Sequence, residues 1–378
     1  MADTTAFHPL TSQPTEAALG PTHGGVPRTT SRAAGPSGEP RPAEPESVTP
    51  CNSDWGGLAR RILAGQPAER DDALRILRAH DDDILDLLAG AYRIRRHYFG
   101  NQMKLNVLIS AQSGRCAEDC AYCSQSIYAA SPVPEYRLVD EDTIVAGAHH
   151  AHEQQAGTYC IVMSGRRASR RDVDKVGDAV RRIKDELPEM KICACLGLID
   201  DEKAACLADA GVDRFNHNVN TGAKFHDRIV TTHTYRDRVR TLELVKQAGI
   251  SPCSGLICGM GESDDDLVDA ALDLRRLGAE SVPVNFLIPQ EGTPMAERHE
   301  LTALRCLKIV CMFRYLLPDV EVRLAGGREL NLDLLQPMAL YAANSIFLGD
   351  YLTSKGQESS ADYRMIEQLG FQIERVAR

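Results

Sequence analysis

Thr158-Tyr159-Cys160-Ile161-Val162-Met163, an amphipathic stretch over 169–187, and then Lys191-Ile192-Cys193-Ala194-Cys195-Leu196 form the passage that decides the fold. Two short β-rich runs joined by a helical stretch read as a β–α–β unit, because parallel strands need a crossover of this kind. The alternation continues in both directions. Strands are predicted at 105–110, 158–163, 191–196, 213–219, 250–256, 281–287, 320–325 and 344–348, with crossover helices at 140–155, 169–187, 201–210, 235–248, 263–277, 301–317 and 329–343. Gly211, Gly249 and Gly278 stand where helix C-caps belong. Eight such strands predict an α/β fold, a closed (β/α)8 TIM-type barrel. Upstream, apolar residues from Trp55 to Tyr98 recur at helical spacing and predict capping helices. The stretch 351–378 reads as one further helix over the barrel. The expected division is a disordered extension at 1–52, N-terminal helices at 53–100, the barrel at 101–350 and a C-terminal helical segment at 351–378.

Composition narrows the class. Hydrophobic content of 43% and charged content of 25% over 378 residues suit one large globular domain. A formal charge of −10 argues against a nucleic-acid partner, which needs a dominant basic face. No charged-then-apolar leader and no apolar run long enough to span a bilayer is present, so a cytoplasmic, non-membrane protein is expected. In that reducing compartment the twelve cysteines are free for metals rather than disulfides. Residues 1–52 are rich in Pro, Gly, Ser, Thr, Ala and Glu, carry almost no large apolar residue after Leu19, and read as disordered, with Cys51 incidental.

The chemistry is concentrated in Gly114-Arg115-Cys116-Ala117-Glu118-Asp119-Cys120-Ala121-Tyr122-Cys123-Ser124. Three thiolates in this loop can hold an iron–sulfur cluster and leave one iron open. A zinc loop with a distant fourth ligand is the plainer alternative. The CxxxCxxC spacing, with an aromatic before the last Cys, resembles the signature of the radical S-adenosylmethionine (SAM) enzymes. There the open iron chelates SAM, and the reduced cluster cleaves it to a 5'-deoxyadenosyl radical. The loop follows the first strand, so it sits at the C-terminal end of the barrel, where active sites of this fold lie.

Four further thiols fall on predicted strands: Cys160, Cys193, Cys195 and Cys253. A single strand cysteine usually packs as a small hydrophobe. Alternation nevertheless puts Cys193 and Cys195 on one face, and if that face is inward the four meet inside the barrel. Arg323 lies in the strand Glu321-Val322-Arg323-Leu324 and needs an anionic partner, either cluster thiolates or a barrel carboxylate. Cys206, Cys258, Cys306 and Cys311 are read as packing. Asn216, Asn218 and Asn220 alternate along strand four, and Asn285 repeats the theme in strand six. Asn is depleted in strands, so a buried set of them points to a polar ligand. His217 is expected on the opposite face as a satisfied structural residue. The stretch from Gly255 to Glu262 is rich in small residues and would let a ligand lie against backbone.

Together, Phe215-Asn216-His217-Asn218, Thr231-Thr232-His233-Thr234-Tyr235, Cys253-Ser254-Gly255, Ser281-Val282-Pro283-Val284-Asn285, Arg323-Leu324-Ala325-Gly326-Gly327-Arg328-Glu329 and Ala343-Asn344-Ser345-Ile346-Phe347 resemble, in order, the motifs of the biotin synthase family. The resemblance runs from about residue 85 to about residue 375. It implies conversion of dethiobiotin to biotin by radical sulfur insertion, with no side chain acting as catalyst because none can deprotonate a saturated C–H. It implies a [4Fe-4S] cluster on Cys116, Cys120 and Cys123 with SAM. It also implies an auxiliary [2Fe-2S] cluster on Cys160, Cys193, Cys253 and Arg323 as the sulfur donor. By the same resemblance Asn216 and Asn285 hold the ureido ring of the substrate. Asn218, Asn220 and Arg238 hold SAM, Tyr122 and Ile257 flank its adenine, and Arg328 is a lesser candidate. Cys195 stands where many members have Thr, as either an additional ligand or a spare thiol, and Asn220 stands where an Asp is familiar. A flavodoxin or ferredoxin reductant and a homodimer also follow from the resemblance. The alternatives are a hydrogenase-maturation or methylornithine-forming relative, which need not place thiols on strands two, three and five, and a non-enzymatic cluster carrier, which would not need the buried Asn set.

Overall fold

In the computed structural model, which describes residues 54–374 except Arg115, the long strand β1 (Gln102–Gln112) opens a wholly parallel barrel. It is followed around the barrel by β2 (Thr158–Met163), β3 (Lys191–Cys195), β4 (Arg214–Asn216), β5 (Ser251–Cys253), β6 (Leu256–Cys258), β7 (Ser281–Phe286), β8 (Glu321–Leu324) and β9 (Ser345–Phe347). Pairing of Lys104 with Ser345 and of Leu105 with Ile346 returns β9 to β1 and closes the barrel. β5 and β6 share one of its eight positions, both pairing with β7. Strands such as β2, β7 and β8 are buried along nearly their whole length because helices cover the outside and side chains fill the inside. Between them run α4 (Glu141–Glu153), α5 (Arg170–Glu186), α6 (Asp201–Asp209), α7 (Tyr235–Gln247), α8 (Asp264–Leu277) and α9 (Ala303–Leu316). α5 shows why such segments become helices: Ser169 caps Asp172 N at 3.2 Å, and Val173, Val176, Val180 and Ile183 form one buried stripe.

Upstream, α2 (Arg70–Leu77) packs on α8 and α9, α3 (Ile84–Phe99) on α9, and α1 (Trp55–Leu63) on α3. Tyr315 on α9 donates to the Leu87 and Trp55 carbonyls, and Gly90 admits it: a Cβ there would stand 1.8 Å from the Tyr315 hydroxyl. The expected extension at 1–52 lies outside the described residues.

Four expectations about elements are corrected. The fifth strand, expected unbroken over 250–256, is interrupted at Ser254-Gly255, because the Gly255 backbone presses on Pro283 so closely that a Cβ would lie 1.8 Å from its carbonyl oxygen. The fourth, expected over 213–219, ends at Asn216, and the chain then turns through Asn220 at φ 68°. The expected helix 329–343 is three short pieces: α10 (Arg328–Leu332), a 3-10 turn (Asp333–Leu335) and α11 (Gln336–Ala339). Asp333 at φ 46° breaks the spiral and Pro337 starts the last piece. The C-terminal stretch is one helix, α12 (Ser359–Gln368), plus β10 (Gln372–Ile373), which adds to the edge of β1.

Candidate functional site

The loop after β1 is shaped by partners from elsewhere in the chain. Asp119 accepts from the backbone amides of Thr231 and Thr232 at 2.9 and 3.2 Å, and Ala121 N donates to Ile229 O at 2.8 Å. Burial pushes the Asp119 carboxyl up, but the Thr231 and Thr232 donors outweigh it and hold it at about 2. Glu118 binds His233 Nδ1 at 2.6 Å and Arg166 Nε at 3.1 Å. Within the loop Cys116 N donates to Gln125 O at 2.6 Å, and Cys123 N to Cys120 O at 3.1 Å. This fixes Cys116, Cys120 and Cys123 on the wall of a cavity of about 390 Å³ at the C-terminal end of the barrel. Burial raises all three thiols, Cys120 to about 12, so a bound cation is needed to make them thiolates.

The same cavity is lined by Tyr122, Cys195, Asn216, Asn218, Asn220, Arg238, Ile257 and Asn285, so the expected SAM and substrate residues converge. Asn220 bridges the break in the fifth strand: its N donates to Gly255 O at 3.0 Å and its O accepts from Ile257 N at 2.9 Å. With its amide oxygen turned inward, Asn220 accepts from Tyr122 Oη at 2.5 Å and from Arg238 Nη2 at 3.2 Å. Arg238 Nη1 donates to Asn218 O at 2.7 Å. Asn218 Oδ1 accepts from Gly255 N at 3.0 Å and Asn216 Nδ2 at 3.1 Å. Asn285 donates to Leu256 O and accepts from Gly326 N, both at 3.0 Å, and so ties the loop after β8 to β6.

His217 is not the satisfied residue expected. It lines the cavity beside Asn216 and Asn218, with Nε2 buried and unpartnered. Strand alternation does not reach it because β4 ends one residue earlier. Burial, then the charges of Arg238 and His233, hold it well below the usual histidine range, hence neutral. Arg238 Nε, His233 Nε2 and Ser126 Oγ are also buried on this wall without partners. Four orphaned polar groups in one cavity fit a polar ligand. Leu352, Thr353 and Ser354 close it from the C-terminal side, Thr353 within 2.8 Å of Ser124 Oγ. Arg328 is not on this wall; it pairs with Asp362 at 2.8 Å and Gln336 at 2.6 Å.

Deeper in the barrel Cys160, Cys193 and Cys253 form one buried cluster with Leu108, Val162 and Phe347. Register makes it: Cys160 lies opposite Cys193 in β2–β3, and Asn216 opposite Cys253 in β4–β5. Asn216 Nδ2 donates to Cys253 Sγ at 3.3 Å, linking this cluster to the cavity. The Cys193 thiol is raised well above its usual value by its hydrogen bond with Cys160 and by burial, and Cys253 by its hydrogen bond with Cys193 and by burial. Cys195, half-buried, stands outside this cluster on the cavity wall, raised to about 12 by burial and by Cys253.

Arg323, 1% exposed, has the carboxylate partner that the sequence left open. Its Nη2 donates to Glu321 Oε1 at 2.5 Å and to Ser281 Oγ at 2.9 Å, and Nε to Ser345 Oγ at 3.3 Å. Glu321 Oε2 accepts from Arg214 at 2.8 Å, with Lys104 at 3.7 Å. Three cations therefore share one carboxylate beside the thiols. Glu321 and Arg214 escaped the sequence reading, although each shares a predicted strand with a singled-out residue. Among the described residues no three His, Cys, Asp or Glu side chains converge on one metal ion. A [4Fe-4S] cluster asks each thiolate to bind a different iron and a [2Fe-2S] cluster spreads four donors over two irons, so neither needs three side chains on one ion; two sets of soft donors, the deeper one facing surplus positive charge, fit such groups.

Residues 112–274 match the family described as the radical SAM superfamily, and residues 283–372 match the biotin and thiamin synthesis associated domain. A curated biotin synthase of Geobacillus thermodenitrificans is 54% identical over 321 residues, 85% of this chain and 96% of its own length. That of Bacillus subtilis is 52% identical over 324 residues, 86% of this chain and 96% of its own. Among solved structures, a methylornithine synthase superposes with a TM-score of 0.74 at 20% identity, covering 84% of this chain and 97% of its own. An FeFe-hydrogenase maturase from Carboxydothermus hydrogenoformans superposes with a TM-score of 0.72 at 14% identity, covering 85% of this chain and 79% of its own. At those identities the superpositions speak to fold alone.

Proposed function

The chain belongs to the biotin synthase family, and we propose from this premise that it converts dethiobiotin to biotin in the cavity between its two sets of thiols. The observation that carries the reading is the deep site: Cys160, Cys193 and Cys253 brought together by strand register beside Arg323, under a wall of asparagines. Cys116, Cys120 and Cys123 would hold a [4Fe-4S] cluster with SAM, and the deep set an auxiliary cluster of [2Fe-2S] type with Arg323. Bound there, the groups supply a carbon-centred radical from SAM and the sulfur that is inserted.

The side chains do the rest. Arg238, with Nε unpartnered, and Asn218 and Asn220 present polar groups to the amino-acid end of SAM, while Tyr122 and Ile257, in one apolar cluster, flank its adenine. Asn216 and Asn285, on the two strands that flank the β5/β6 position, address the ureido ring, each held by hydrogen bonds to the barrel. His217, neutral in its buried place, adds an acceptor or donor without adding charge. A flavodoxin or ferredoxin as reductant, a homodimer and a cytoplasmic setting complete the reading. No helix among the described residues is long and apolar enough to cross a membrane.

The test is anaerobic incubation of the reconstituted, reduced protein with SAM and dethiobiotin, with products quantified by mass spectrometry. Biotin and 5'-deoxyadenosine, with loss of the auxiliary cluster's visible absorption, are expected. Deoxyadenosine without biotin would reopen the substrate, and neither product from protein with intact clusters would sink the assignment.

A further inference from the structure

Glu321 and Arg323 stand two apart on β8 and so share a face, and both are all but fully buried. A carboxylate at that depth persists only if its oxygens are filled. Those of Glu321 are: Oε1 accepts from Arg323 Nη2 at 2.5 Å, Ser345 Oγ at 3.0 Å and Ser281 Oγ at 3.2 Å, and Oε2 from Arg214 Nη1 at 2.8 Å. The partners are not arbitrary. Arg214 is the register neighbour of Cys193, Ser281 of Cys253, and Ser345 of Arg323. One carboxylate thus ties together the strand neighbours of three of the four donors assigned to the deep site.

We propose that Glu321 is the positioning residue of the auxiliary-cluster site: it clamps Arg323 and Arg214, fixes where the Arg323 guanidinium stands, and offsets their charge. This rests on the deep thiols holding a cluster, as argued above. The clamp engages Arg323 through Nη2, and Ser345 engages Nε, while Nη1 takes part in no hydrogen bond among the described residues. The guanidinium is therefore anchored through two of its nitrogens, with the third left for another partner. Its plane is set further by Phe347, whose ring centroid lies 4.9 Å from the guanidinium carbon and which packs against the three thiols. Without Glu321, Arg214 and Arg323 would repel each other, and the deep site would face uncompensated positive charge.

Reduction potentials of iron–sulfur clusters follow local charge and hydrogen bonding, and residues that orient ligands change metal affinity by about 10–100-fold when replaced. In Glu321→Gln, anaerobic titration followed by visible and Mössbauer spectra is expected to show the auxiliary cluster bound on the order of 10–100-fold more weakly, and, where retained, with its potential moved positive. The cluster on Cys116, Cys120 and Cys123 keeps its iron, and SAM cleavage is unchanged. Because Glu321 acts through Arg323, a double variant with Arg323→Leu should lie near Arg323→Leu alone rather than at the sum. Ser281→Ala removes one hydroxyl of the clamp and strands no charge; it should perturb the same signal to a smaller extent, and it decides the matter if Glu321→Gln does not fold. An auxiliary signal in Glu321→Gln identical to wild type in iron, spectrum and potential would overturn this inference alone, as would a wild-type signal in Ser281→Ala where Glu321→Gln does not fold, or additivity in the double variant. A wild-type protein without any second cluster would overturn the functional reading with it.

Discussion

Cys116, Cys120 and Cys123 stand on a loop whose shape is imposed by Asp119, Glu118 and the 229–233 segment, whereas Cys160, Cys193 and Cys253 stand on three strands whose register alone brings them together. The loop thiols are held by contacts between distant segments and border an open cavity, as a site that must admit SAM requires. The strand thiols are buried and pre-set, as suits a group that stays in place until it reacts. The one protein thus holds soft metal donors by two physical means, side-chain ties in one case and backbone ladders in the other.

The largest effect separates the two sets by chemistry. Cys123→Ala is expected to abolish 5'-deoxyadenosine and biotin together, while Cys253→Ala abolishes biotin and leaves deoxyadenosine formation, both read by mass spectrometry beside iron counts. Loss of both products in both variants would erase the distinction.

The next separates them by stability. Glu321→Ala strands two buried arginines and should cost about 3–5 kcal/mol in urea unfolding of the cluster-free protein. Asp119→Asn loses charge-assisted hydrogen bonds to Thr231 and Thr232 and should cost about 1.5–3 kcal/mol. Its iron on the loop should instead be lost faster to a chelator, while the auxiliary spectrum stays. Equal unfolding midpoints for the two variants would mean that the loop is as deeply built into the fold as the barrel floor.

The same contrast governs what the sequence could reveal. Strand thiols were legible because Thr158–Met163 and Lys191–Cys195 are short β-rich runs whose spacing fixes their facing, and the eight-position barrel followed from the same alternation. Legibility failed wherever a contact between distant segments sets the geometry. Nothing local to Ser254-Gly255 announces that Pro283 presses on it and breaks the strand. Period-two alternation puts His217 on the opposite face only if the ladder runs past Asn216, and it stops there. Glu321 was visible beside Arg323, yet its tie to Arg214 joins opposite walls of the barrel, and no spacing rule reports that. The loop motif was the most readable piece of chemistry, while the Glu118–His233 and Asp119–Thr231 ties that shape it were not.

The smallest effect falls on the residue that belongs to neither set. Cys195 shares β3 with Cys193, and period-two alternation gives the two the same facing. It is two positions nearer the C-terminal end, however, and the structure puts it on the cavity wall while Cys160, Cys193 and Cys253 pack with Leu108, Val162 and Phe347 below. Distance along the strand separates a ligand from a lining residue, at about 6.6 Å for two residues of parallel strand. Cys195→Ala is therefore expected to leave iron and sulfide counts and the visible spectrum unchanged, and to shift KM for the substrate by no more than about fourfold, the scale of a methylene-sized change in a pocket wall. Loss of iron from the auxiliary site in this variant would instead make Cys195 a fourth thiolate. The deep set would then extend into the cavity, and the division between the loop thiols and the strand thiols would be less sharp than the register suggests.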